Sequence, residues 1–194
     1  MPYGNSRGGG YKLASMDYIA RVAGKLTRRL HTRNPYEICD ALGIRIRLKD
    51  LGHDIKAYYY YQSRIRNIVL NTRVSETIRR ILVAHELGHD RLHKDIALLK
   101  GFQEIELFDM TLPAEYEANL FAAELIIDDD VLLALLNDDD KSFFGVAREL
   151  YIPADLLDFK FRILKHKGYR IEAPYIASGN YLKNDINGCF EDND

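Results

Sequence analysis

Apolar residues recur at helical spacing near the start of the chain. Leu13, Met16, Ile19, Ala20, Ala23 and Leu26 fall on one face between Tyr11 and Leu30, which predicts a first helix. Asn34-Pro35-Tyr36-Glu37 then offers a capping side chain, a proline at the first helical position and an acid at the third, and Gly43 a stop, so a short helix is expected over 35–42. There the period changes. Ile44, Ile46 and Leu48 alternate with Arg45 and Arg47, while 57–61 and 67–71 are rich in aromatic and β-branched residues on either side of the turn-like Gln62-Ser63-Arg64. Three strands joined as an antiparallel meander are expected. From Ser75 the helical period returns, over 76–93, 114–127, 131–137 (capped from Asp128-Asp129-Asp130), 141–151 and 154–167, with Gly168 as terminator. The pattern predicts an α+β fold: a small antiparallel three-stranded sheet packed on a helical bundle, with the 76–93 helix at the core. The connection 94–113 is longer than an ordinary loop.

Composition adds limits to this picture. A chain of 194 residues, 47% hydrophobic, can bury one core, so a single domain is expected over 11–170: helices and sheet to 75, the paired helices of 76–127, and closing helices over 131–168. A Gly-rich polar leader at 1–10 and an Asn/Gly/acid-rich tail at 171–194 are expected to be loose. The longest apolar run, 131–136, is six residues against the roughly 20 that span a bilayer, and no export-type segment opens the sequence, so no membrane association and a cytoplasmic location are expected. Cys39 and Cys189 have no paired spacing and are expected to be free thiols. Charge divides unevenly: residues 1–100 hold 19 Lys/Arg against 9 Asp/Glu, residues 101–194 hold 8 against 20, and the whole chain carries −2. The basic residues are scattered rather than gathered in one run, which argues against nucleic acid and for attraction between the two halves within one domain.

The chemistry sits in the 76–93 helix. His85-Glu86-Leu87-Gly88-His89 is an H-E-x-x-H pattern, which a chain with six histidines would produce by accident about one time in a hundred. Residues i and i+4 share a helix face, so two imidazoles can grip one zinc ion from consecutive turns while Glu86, one step round, acts on the attacking water. A catalytic zinc takes three protein ligands and leaves a fourth position for water. His93 continues the same line, but one straight helix separates it from His85 by about 12 Å, so a hydrogen-bonding or structural role is expected of it. Asp95 stands where an extended form of the pattern ends, yet Leu92 occupies the place of the glycine that such a turn requires. The other candidates are Glu115 and Glu117. On a helix, Glu115, Ala118, Asn119 and Ala122 share a face whose small residues permit close approach, with Asn119 positioned to hydrogen-bond a ligating histidine. Glu117, about 200° round, is expected to be solvated. The favoured set is one Zn²⁺ per chain on His85, His89 and Glu115, with Glu86 as catalytic base and Asn119 and His93 as supporting residues. Imidazole ligands favour zinc over magnesium or calcium. Donors to the developing oxyanion are sought in Tyr58–Tyr61 and His93.

Three blocks of sequence together resemble the ImmA/IrrE family of metallo-endopeptidases, over about 30–170: Asn34-Pro35-Tyr36-Glu37-Ile38 ahead of Ala41-Leu42-Gly43-Ile44; Ala84 to His89 with His93; and Glu115 to Leu125 in an E-x-x-A-N-x-F-A form. The resemblance implies a zincin-like (gluzincin-like) fold, zinc on His85, His89 and Glu115, and cleavage of a helix-turn-helix repressor of a mobile element or stress response. One departure is visible: members often have a proline where Leu125-Ile126-Ile127 here runs into Asp128. Phe144 to Leu157 resembles half of a helix-turn-helix, although without a basic face it reads more simply as a hairpin closing the core. The competing functional class is a zinc-containing regulator that acts by association with a protein or DNA. For a protease, an extended substrate is expected along a sheet edge at 67–71 or its neighbour, with 94–113 as a lid and the acids of 128–130 and 138–140 attracting a basic partner.

Overall fold

A computed structural model describes residues 14–93, 112–137 and 141–171, and the backbone of 102–104. The leader 1–10, Asp95, Asp138–Asp140, Cys189, the tail beyond 171 and most of the 94–113 connection lie outside the described residues. Helix α1 (Met16–Leu30) starts at Ser15, whose hydroxyl accepts from the Tyr18 N–H, and α2 (Pro35–Ala41) starts at Asn34, whose carbonyl oxygen accepts from the Tyr36 N–H. Strands β1 (Ile44–Lys49), β2 (Ala57–Gln62) and β3 (Ile65–Asn71) precede α3 (Glu76–Leu92), which is capped by Ser75. A short strand β4 (Phe102–Glu104) follows, then α4 (Pro113–Ile126), α5 (Asp129–Leu136), α6 (Phe143–Glu149) and α7 (Ala154–His166). The α+β class holds, and every expected helix and strand is present with ends shifted by a few residues at most.

The sheet corrects the expected meander. Its order is β1-β3-β2-β4, with β1 parallel to β3 (Ile46 opposite Ile68) and only the remaining pairs antiparallel. The β2–β3 hairpin closes on Ser63 and Arg64, both at positive φ (51° and 65°), which gives the twist a two-residue hairpin needs. The β1–β2 connection instead crosses to the far side of β3, pinned by buried Asn71. Its amide donates to the carbonyls of Gly52 and Ile55, both at 2.8 Å, and its oxygen accepts from Arg73 N–H at 3.0 Å. Because β3 is paired on both sides, 67–71 is not an edge; among the described residues the edges are β1 and β4. Strand β4 lies inside the connection read as a loop, since three residues are too few to show a period and pairing with β2 decides their conformation.

One face of the sheet carries Ile44, Ala57, Tyr59, Ile68 and Leu70 into the core against α2 and α3. Helix α3 is buried from Ile81 to Asp90, and α4 from Glu117 to Ile126, because α4 is covered by α3 on one side and by α1 and α7 on others. Helix α7 buries Leu156, Leu157, Phe159, Phe161, Ile163 and Leu164, and Phe161 meets Phe143 edge-to-face at 5.2 Å. The 144–157 segment is thus a hairpin that closes the core; its second helix is not presented as a recognition helix. Cys39 is a buried free thiol, pushed up to about 12 by burial. No helix among the described residues is long and apolar enough to cross a membrane.

Where the family resemblance places a proline, the exit of α4 is held by charge. Arg33 donates to the carbonyls of Glu124 and Leu125 at 3.0 and 3.1 Å and pairs with Asp128, which caps α5. Lys160 of α7, fully buried, reaches Glu124 at 2.6 Å and also Asp129, and Lys167 joins both acids at 2.7 Å. Removing a cation and removing an acid should differ here. Lys160→Met leaves Glu124 paired with Lys167, and the urea midpoint should stay near wild type or rise. Glu124→Ala strands Lys160 with one partner and should cost about 3 kcal/mol in the same titration. Equal losses in both variants would contradict this reading of the cluster.

Candidate metal centre

His85 and His89 project from consecutive turns of α3, and Glu115 and Asn119 from consecutive turns of α4. The helices can meet closely because residue 88 has no side chain: a Cβ there would lie 3.1 Å from the Ala118 Cα and 3.2 Å from the Phe121 ring. Across this contact the Nε2 atoms of His85 and His89 lie 3.0 Å apart, and Glu115 Oε2 lies 3.0 Å from the first and 3.3 Å from the second. Ligand atoms bound tetrahedrally at about 2.0–2.1 Å sit about 3.3 Å from one another, so the spacing suits a metal ion. Two imidazoles and a carboxylate oxygen are all electron-rich, and at these distances they repel unless a cation lies among them. Among the described residues these three form the one such group.

Protonation favours the same use. Burial drives the His89 imidazole down to about 3, outweighing the opposing pull of Glu115, so the ring is neutral at pH 7. Behind His85, Nδ1 lies 2.9 Å from the Asn119 carbonyl oxygen, which can only accept, so the Nδ1 position carries the proton and Nε2 faces Glu115. Glu86 is fully buried on α3 beside His85.

Several expected roles change. Glu117 is not solvated: it is 1% exposed, because the α4 face opposite Glu115 is buried too, and its Oε2 lies 2.9 Å from His93 Nε2. His93 packs behind His89, with their Nδ1 atoms 2.9 Å apart, and so does not supply an oxyanion donor. Nor does Tyr59, whose hydroxyl donates to Asp90 at 2.9 Å, and Tyr58 and Tyr60 stack with each other on the opposite sheet face. Asp90 itself was missed. It is buried and held by Tyr59, Arg66 and Arg91, and Arg66 also reaches the Leu42 carbonyl, which ties α3 to the sheet and to the end of α2. The signal for Glu117 was available in the i, i+4, i+8 histidines: a third histidine on a buried ligand face needs a polar partner, and a neighbouring helix rich in acid can provide it.

An H-E-x-x-H helix that faces a carboxylate-bearing helix across a glycine is the arrangement of a metallopeptidase. Residues 39–162 match the family model described as the IrrE N-terminal-like domain, Peptidase_M78, and the chain belongs to that family, the ImmA/IrrE metallopeptidases. It is 34% identical over 147 residues to Uncharacterized immunity region protein 2 of Bacillus phage phi105, covering 73% of this chain and 92% of that protein. It is 31% identical over 148 residues to Metallopeptidase ImmA of Bacillus subtilis (strain 168), covering 76% of this chain and 86% of the relative.

The close approach at residue 88 can be tested directly. Gly88→Ala gains up to about 1 kcal/mol of helix propensity but forces the two helices apart at a cost of about 1–3 kcal/mol. The variant should melt lower by roughly 2–4 °C and bind divalent metal more weakly. A melting point at or above wild type would show that the contact has slack.

Proposed function

We propose that the protein is a zinc-dependent endopeptidase that hydrolyses one peptide bond in a specific protein substrate, a helix-turn-helix transcriptional repressor of a mobile element or stress response. The observation that carries this reading is the convergence of His85 Nε2, His89 Nε2 and Glu115 Oε2 beside the buried Glu86. Imidazole ligands favour zinc, and the three residues would hold one ion per chain. When bound, the ion polarises the scissile carbonyl and makes a water more acidic. Glu86 takes the proton of the attacking water and passes it to the leaving amine. The buried histidine and carboxylate supports keep the ligands from rotating and exclude competing water.

The names of the relatives, one an immunity region protein of a phage and one Metallopeptidase ImmA, support a regulatory setting for the substrate. Of the two sheet edges among the described residues, β1 is lined by exposed Arg45, Arg47 and Lys49, the kind of charge that blocks strand addition. Strand β4 pairs with β2, whose Tyr59 touches the residue after His89. An extended substrate segment is therefore assigned to the β4 edge, with main-chain hydrogen bonds giving affinity.

Metal analysis should find one zinc per chain, lost in His89→Ala and restored to chelator-stripped wild type by added zinc. Glu86→Gln should keep the metal and lose cleavage by a factor of about 10² to 10⁴. Co-expression with the regulators encoded beside it, wild type against Glu86→Gln, should show one neighbour cut at one position. Cleavage of casein at a comparable rate, or full activity of Glu86→Gln, would overturn the proposal.

A further inference from the structure

We propose that Glu117 and His93 form a positioning relay that fixes the tautomer and ring orientation of His89, and that the backbone N–H of Ala14 anchors the relay. The inference rests on the metal-site reading and assigns to two buried residues a role in holding one of its ligands.

The contacts run in one line. Glu117 Oε1 accepts from the Ala14 N–H at 2.5 Å, and Oε2 lies 2.9 Å from His93 Nε2. His93 Nδ1 lies 2.9 Å from His89 Nδ1, and His89 Nε2 faces His85 and Glu115. His93 and Glu117 are 2% and 1% exposed, so bulk solvent does not compete for these contacts. The direction of each bond follows from what the atoms can do. A carboxylate accepts only, so His93 donates from Nε2; the Nδ1 of a neutral His93 then accepts, so His89 donates from Nδ1 and its Nε2 keeps a lone pair. His85 reaches the same state by a shorter route, through the Asn119 carbonyl. Both ligating histidines thus present Nε2, each fixed by its own buried acceptor.

This explains why residue 117 is an acid. Both of its oxygens must accept, one from α1's approach and one from His93. An amide of the same size has one acceptor and one donor. In either orientation it sets donor against donor at Ala14, or it donates to His93 Nε2, reverses that ring and moves the His89 proton onto Nε2. At position 93, by contrast, glutamine can accept from His89 and donate to Glu117, preserving the order, whereas leucine cannot.

The test uses the full chain, with zinc affinity measured by competition against a chromogenic chelator and with long-range ¹⁵N–¹H spectra of the histidine rings. The wild type should show His89 protonated at Nδ1 before and after zinc is added. Glu117→Gln and His93→Leu should bind zinc about 10–100-fold more weakly, Glu117→Gln should shift the His89 proton toward Nε2, and His93→Gln should recover most of the affinity. Wild-type His89 protonated at Nε2 in the zinc-free chain would overturn the relay without any variant. So would unchanged affinity and spectra in folded Glu117→Gln and His93→Leu, with the metal reading left intact. A wild type that binds no zinc overturns the metal reading itself, and the relay's role falls with it.

Discussion

The approach of α3 to α4 at Gly88 and Ala118 governs the rest of the site. A single helix can offer two ligands at i and i+4 but not a third, since the next residue on that face is a full turn further along the axis. The third has to come from a second helix, and a glutamate side chain reaches it only if the two backbones are close. Gly88 supplies that closeness, and Ala118 and Ala122 keep the opposing face small. Three separate polar contacts then span the same interface: Glu115 to His85 and His89, Asn119 to His85, and Glu117 to His93. The hydrogen bonds of Asn119 and Glu117 would not survive an extra ångström of helix separation, because hydrogen bonds weaken steeply beyond their usual length, and Glu115 would move out of reach of both Nε2 atoms.

Closeness at one point does not fix the rotation of either helix, and here the buried charges matter. Asp90, at the C-terminal part of α3, is held by Tyr59 from β2 and Arg66 from β3, so α3 cannot turn about its axis without breaking contacts to the sheet. The far end of α4 is held by Arg33, Lys160 and Lys167, and its near end by the Glu117 bond to Ala14. Buried ion pairs of this kind add little net stability, because the cost of removing water from the charges is close to what their attraction returns. Their effect is on orientation. Stability comes from the apolar residues that flank the same helices, Leu82, Leu87, Leu120, Phe121 and Leu125, each contributing roughly 1.5–3 kcal/mol through burial.

What could be read from the chain beforehand divides along physical lines. The helices were legible because their information is local: a periodic face, a Ser or Asn cap, a Pro at the first turn, a Gly at the end. The grouping of His85, His89 and Glu115 was legible for the same reason, being two helical faces and the small residues between them. The order and direction of the strands were not. They depend on Asn71 pinning a connection to carbonyls sixteen and nineteen residues away, and no local pattern encodes such a bond. Strand β4 was hidden by its length. Glu117 was not legible because helical periodicity shows one buried face, whereas α1, α3 and α7 together bury nearly the whole circumference of α4, so an acid on the far side had to find a partner inside.

That last point bears on why the site tolerates so much buried polarity. His85, Glu86, His89, His93, Glu117 and Asn119 are all at most 2% exposed, and each buried polar group left without a partner would cost about 1–3 kcal/mol against a total stability of about 5–15. The arrangement is tenable because the rings are supported from behind by acceptors, which turns every lone pair not used in support toward one point. Support and convergence are the same geometry: fixing Nδ1 as a donor leaves Nε2 as an electron pair, and doing so twice beside a carboxylate creates a place where a cation lowers the energy of all three groups at once. A divalent ion that binds there favours the folded chain over the unfolded one, in which the donors are scattered, so metal binding and the packing of α3 on α4 stabilise each other.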